Sequence, residues 1–199
     1  MSTRRFLRAD RFDVEKAYQR YTAACQMRDA VQLLQTYENI EVEEFEKARL
    51  LVSKDLSYSE KSCRLIPLEY PHWSGRRDKR GLPICLFDID KLDSDTIAEY
   101  QSARTCATSL SSSALVRALA FHECLTRFIL PLCSAVVERP EPAKPITSCL
   151  YLVDVSGFSM RQAWNLRNYT YDISKLLANN YPEMIDRVLV GTSQIYYGC

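Results

Sequence analysis

Cys149-Leu-Tyr-Leu-Val153 is an unbroken apolar run of strand length, the pattern of a strand covered on both faces. After Gly157, Ser159 stands three residues before Gln162, the spacing of a capping box at a helix start. Ala163, Leu166, Tyr169, Ile173, Leu176 and Leu177 then recur at helical spacing as far as Asn180, and Pro182 ends the helix. Arg187-Val-Leu-Val190, with Ile195-Tyr-Tyr197 beyond it, supplies the next strand. Strand, helix and strand of these lengths make a βαβ unit, so the reading is an α/β protein with an at least partly parallel sheet.

Upstream, residues 1–60 read as helical. Asp13 is placed to cap a helix whose apolar positions are Val14, Ala17, Tyr18, Tyr21, Ala24 and Cys25. A second helix is predicted over 41–52, with Glu41, Glu43 and Glu44 in its first turn and Lys47 and Arg49 later, the order the helix dipole favours. The sequence between, residues 70–83, reads as a turn-rich connection, with Asp78 and Gly81 at the two ends of a turn. Ile84 to Phe87 is a short strand. Residues 105–113 are a Ser/Thr-rich loop, 114–130 a helix and 138–146 a proline-rich connector. The predicted division is a helical N-lobe over 1–62 and a sheet lobe over 63–199.

The chain has 199 residues, 47% of them hydrophobic, and a formal net charge of +1. That balance argues against a general polyanion binder, and so against nucleic acid as a partner. No apolar run is long enough for a transmembrane helix, and the basic start Met-Ser-Thr-Arg-Arg lacks the apolar core of a signal peptide. A cytoplasmic protein is expected. Eight cysteines without any CxxC pair, and only two histidines, give no support for a metal site and read as free thiols.

No catalytic constellation emerges. The turn Asp154-Val-Ser-Gly157 has neither a dinucleotide fingerprint nor a phosphate loop, and no GxSxG is present. His122 lies on the apolar stripe of its helix and reads first as a packed core residue. Arg76-Arg77-Asp78-Lys79-Arg80 concentrates four cations in five residues. It reads first as a solvated turn and second as a contact for an anionic lipid surface.

Three segments, taken in order, resemble the Sec14-like lipid-transfer proteins, the CRAL-TRIO family. Arg5-Phe-Leu-Arg-Ala-Asp-Arg-Phe-Asp13 is similar to that family's N-lobe motif. Tyr70-Pro-His72 with Asp78-Lys-Arg-Gly-Leu-Pro83 resembles the start of its lipid-binding lobe. Leu150 to Glu183, closing on Tyr181-Pro-Glu, resembles its central βαβ unit. The resemblance implies an apolar pocket floored by the sheet, holding one phospholipid or another hydrophobic ligand, with transient contact at a membrane surface. It implies neither enzyme activity nor a cofactor, and it places the protein in the cytoplasm or peripherally at membranes. It carries Arg11, His122 and Phe128 over as lipid-contacting positions. The second of the family's basic pair is Arg11, whereas the first is replaced by Asp10. The basic turn Arg76, Arg77, Lys79 and Arg80 is the expected membrane-facing element. A regulatory or interaction module with a degenerate lipid-binding fold is the alternative. The resemblance also implies a domain incomplete at both ends, hence the expectation that these 199 residues alone transfer no lipid and dissolve poorly.

Overall fold

The computed structural model describes residues 3–38, 72–89, 113–157 and 159–191. The helix predicted over 41–52, the Ser/Thr-rich loop apart from Ser113, and Ile195 to Tyr197 lie outside them. Three helices open the chain: α1 (Thr3–Ala9), α2 (Val14–Ala30) and α3 (Leu33–Glu38). Asp13 caps α2 as expected, its side chain accepting the Lys16 N–H at 3.1 Å. Phe6, Ala17 and Ala24 make a small core between α1 and α2, with Tyr21 edge-on to Phe6. Val14 and Tyr18, expected on the buried face of α2, are instead exposed. A second expectation is also corrected. Half of the predicted connection 70–83 is strand β1 (His72–Arg77), paired antiparallel with β2 (Pro83–Asp88). Its polar, Gly-containing sequence hid it, because an edge strand with a bulge between Trp73 and Arg77 needs no apolar alternation. Residues 78–82 are the hairpin turn. There the Gly81 N–H donates to the Asp78 carbonyl at 2.9 Å, and the Asp78 carboxylate accepts the N–H groups of Arg80 and Leu82.

The helix predicted over 114–130 is longer and interrupted. It runs as α4 (Ser113–Cys124), a π-helical turn (Leu125–Ile129) and α5 (Leu130–Ser134). Pro131 lacks an N–H and its ring crowds the carbonyl four residues back. The wider π turn ahead of it, closed by Leu130 N–H to Leu125 C=O, lets the helix continue past the proline. The proline-rich connector folds around Arg139. This buried guanidinium donates to the carbonyls of Ser134, Val136, Glu141 and Pro142 at 2.7–3.2 Å. Gly81 packs directly on it at φ +92°, where a Cβ would sit 3.1 Å from Arg139 Cδ.

Strand β3 (Cys149–Asp154), helix α6 (Met160–Asn180) and strand β4 (Ile185–Gly191) form the expected βαβ unit. The capping box is present in both directions between Ser159 and Gln162. Sheet order is β1-β2-β3-β4, with β2, β3 and β4 mutually parallel, so the fold is mixed α/β. The main core joins Cys85, Cys149 and Tyr151 of the sheet to Leu119, Leu125, Ile129 and Cys133 of the long helix, Leu176 of α6 and Leu33 of α3.

Candidate functional site

Parallel strands laid down in the order β2-β3-β4 step across the sheet in one direction. Crossovers of a single hand then place both connecting helices on one face. Cys85, Cys149 and Tyr151 point to that helical face, since they share the core with α4, α5 and α6. Strand alternation therefore turns Ile84, Leu86, Leu150 and Leu152 to the other face. The register sets them in rows: Ile84 beside Leu150 beside Arg187, then Leu86 beside Leu152 beside Leu189. Leu150 is buried, Ile84, Leu86 and Leu152 are half-buried, and Leu189 is exposed. Five aliphatic side chains thus make an apolar floor on the face opposite the described crossover helices, with Arg187 at the end of one row.

The helical face holds a different arrangement. His122 is enclosed. Its Nδ1 lies 2.7 Å from the Ala118 carbonyl, so that nitrogen carries the proton and Nε2 accepts from the Tyr151 hydroxyl at 3.0 Å. Burial pushes the imidazole pKa down to about 4, keeping it neutral. One residue on, the buried Glu123 carboxylate pairs with Arg28 of α2 and with Arg127 Nε at 2.5 Å, and it lies 2.9 Å from the Tyr181 hydroxyl. Arg28 also sits over the Tyr181 ring, 4.7 Å from its centroid, and desolvation lowers its pKa from the usual arginine value. This junction ties the first helices to the long helix and to the end of α6, and Arg20 adds a bond to the Ala178 carbonyl. Sequence reading missed Glu123 and Arg139, because a charged residue carries no mark in sequence of its future partner.

The residues singled out in sequence do not converge. Arg11 is exposed in the α1–α2 turn, His122 is in the core on the helical side of the sheet, and Phe128 is exposed on the π turn. The contacts of His122 fit its reading as a packed core residue. Arg76, Arg77, Lys79 and Arg80 lie together at the β1–β2 hairpin. The Arg80 guanidinium, though, is held by Asp78 at 2.8 Å and Asp186 at 2.9 Å. The resemblance implied an apolar floor on the sheet, but its individual residues were not legible: strands greasy on both faces give no alternation to read.

Two clefts open beside the long helix. One of about 220 Å³ is lined by Arg5, Phe6, Glu123, Thr126, Arg127, Asn180 and Tyr181. A shallower one of about 500 Å³ runs along Leu130, Pro131, Ala135 and Ile146. Among the described residues no group of His, Cys, Asp or Glu is placed to hold a metal ion, and no helix is long and apolar enough to cross a membrane.

Residues 70–192 match the family model described as the CRAL/TRIO domain. Two curated relatives are similar along most of the chain. The SEC14 cytosolic factor of Candida glabrata is 26% identical over 183 residues, and that of Kluyveromyces lactis is 27% identical over 183 residues. Each alignment covers 92% of this chain and 50% of the relative, so the chain spans about half the length of the curated relatives it matches.

Proposed function

The chain belongs to the CRAL/TRIO domain family, and from that premise we propose that it binds a phospholipid or another hydrophobic ligand against the sheet face opposite the helices. On this reading it exchanges that ligand at a membrane surface, and it works in the cytoplasm, as its relatives, named cytosolic factors, do. The observation that carries the proposal is the aliphatic floor of Ile84, Leu86, Leu150, Leu152 and Leu189, opposite the helices. Hydrocarbon laid on such a floor leaves water, and each buried CH₂ contributes about 0.8 kcal/mol. Binding and release make and break no covalent bond, so no nucleophile, acid–base pair or metal is called for.

Native mass spectrometry of the protein purified from cells tests this. One lipid per chain is the expected result. Leu152→Lys, half-buried on the floor and clear of the main core, should lower occupancy while circular dichroism stays unchanged. A folded, empty chain, or a Leu152→Lys variant as fully loaded as the parent, would overturn the assignment and favour an interaction module.

A further inference from the structure

Arg5, on α1, is a charge without a partner. It is half-buried, and among the described residues it makes no hydrogen bond and no ion pair. Its Nη1 is enclosed with no acceptor, the rest of the guanidinium stays open, and burial lowers its pKa from the usual arginine value. A cation desolvated in this way costs stability until something anionic reaches it. The acids around it are already taken. Glu123 is held by Arg28 and Arg127, Glu183 lies 3.9 Å from Arg8, and Asp10 lies 3.1 Å from Arg20. Arg5, Arg28 and Arg127 thus set three positive charges against Glu123, which among the described residues is the one carboxylate lining the smaller cleft. Asn180, at the end of α6, lines that cleft too. It is 3% exposed, its Nδ2 donates to the Leu176 carbonyl at 2.9 Å, and its Oδ1 has no donor.

An unpaired cation and an acceptor without a donor call for two different groups, an anion and a hydroxyl. One bridging water supplies neither charge nor bulk for a space of about 220 Å³. The second cleft indicates what the anion is attached to. Arg5 and Thr126 line both spaces, so the polar cleft adjoins the shallower one of about 500 Å³. There Pro131, Ala135 and Pro145 are exposed over the buried Leu130 and Ile146, an apolar trough beside a polar socket. That pairing matches a molecule with an acidic head and one hydrocarbon chain. Both clefts are walled by the long helix, on the face of the sheet opposite the aliphatic floor.

We propose that this groove is a second ligand site, for a single-chain amphiphile whose acidic head also carries a hydroxyl. Arg5 takes the anion, and Asn180 accepts from the hydroxyl directly or through one water. The chain lies along Pro131, Ala135 and Pro145. The site stands whether or not the sheet floor holds cargo. Calorimetric titration of the whole chain with oleoyl lysophosphatidic acid, kept below its micelle concentration, tests it. Saturable binding is expected, and it should persist in Leu152→Lys, where the floor is spoiled. Monoolein, which lacks the anion, and glycerol phosphate, which lacks the chain, should each bind about tenfold more weakly or worse. Arg5→Gln should lower affinity for the lysophospholipid by about tenfold or more, the loss of a hydrogen bond to a charged group. The melting temperature of the empty variant should hold or rise, because an uncompensated charge has gone. Ala135→Gln, a neutral change on the exposed trough, should weaken the lysophospholipid severalfold and leave glycerol phosphate unmoved. Binding lost in Leu152→Lys would assign the probe to the floor and overturn the second site. Equal affinity for monoolein, or an Arg5→Gln variant that binds as the parent does, would overturn it as well. So would an Arg5→Gln variant that melts earlier, since Arg5 would then be a strut between helices rather than an unfilled contact.

Discussion

At Glu123 a buried carboxylate meets two guanidinium groups and a phenol contributed by three separate stretches of chain. Removing it leaves Arg28 and Arg127 facing each other with the desolvation of Arg28 uncompensated. Glu123→Ala should lower unfolding free energy by about 3–5 kcal/mol in urea titration, as is usual when one partner of a buried pair is lost. His122 makes the second prediction at this scale. Its folded pKa of about 4 lies below its ordinary value of 6.5. Between those two values the unfolded chain binds a proton that the folded chain refuses, so stability is fully present above the upper value and declines as pH falls toward the lower one. The contribution is about 3 kcal/mol across the window, since each pKa unit amounts to about 1.4 kcal/mol. Melting temperature should drop from pH 7 to pH 4, and His122→Gln should flatten that slope. A slope unchanged in the variant would assign it to other groups. Sequence spacing was enough to place His122 in the core. It could not supply Tyr151 as the partner, because that contact exists only once β3 lies under the long helix.

Helix α6 and its flanking strands were the most legible elements, since capping box, apolar stripe and terminating proline all agree. Ser159→Ala removes one side of that box and should cost about 1 kcal/mol in chemical denaturation, without changing lipid occupancy. Strand β1 was illegible because its pairing, not its composition, makes it a strand. The π turn was equally hidden, although Pro131 announced that the α-helical ladder could not pass unaltered. Replacing it as Pro131→Ala restores a donor four residues after the Arg127 carbonyl. The π turn should then relax toward regular α-helix, visible as altered amide shifts confined to residues 125–134. Unchanged shifts there would show that the packing of Leu125 and Ile129, rather than the proline, sustains the turn.

Across the whole molecule, the first helices and the sheet share one interior. Leu33 belongs to the main core, Met27 and Val31 pack against it, and Arg20 and Arg28 reach α6 and the long helix. Far-ultraviolet and near-ultraviolet signals should therefore lose structure at the same denaturant concentration. An earlier loss of helix signal alone would show the N-terminal helices melting by themselves. The strand order also sets a timetable for the chain as it is made. β1 and β2 are joined by a five-residue turn, so their hairpin closes in microseconds once both have emerged. The opposite edge of β2 waits for β3, and 60 residues separate Asp88 from Cys149. At roughly 5–20 residues per second the ribosome needs about 3–12 s to deliver that partner. During those seconds Ile84-Cys85-Leu86-Phe87 stands as an apolar strand zipped on one side and open on the other. The pace of translation through residues 89–148 thus governs how long a nascent chain offers that open edge to its neighbours on the same messenger.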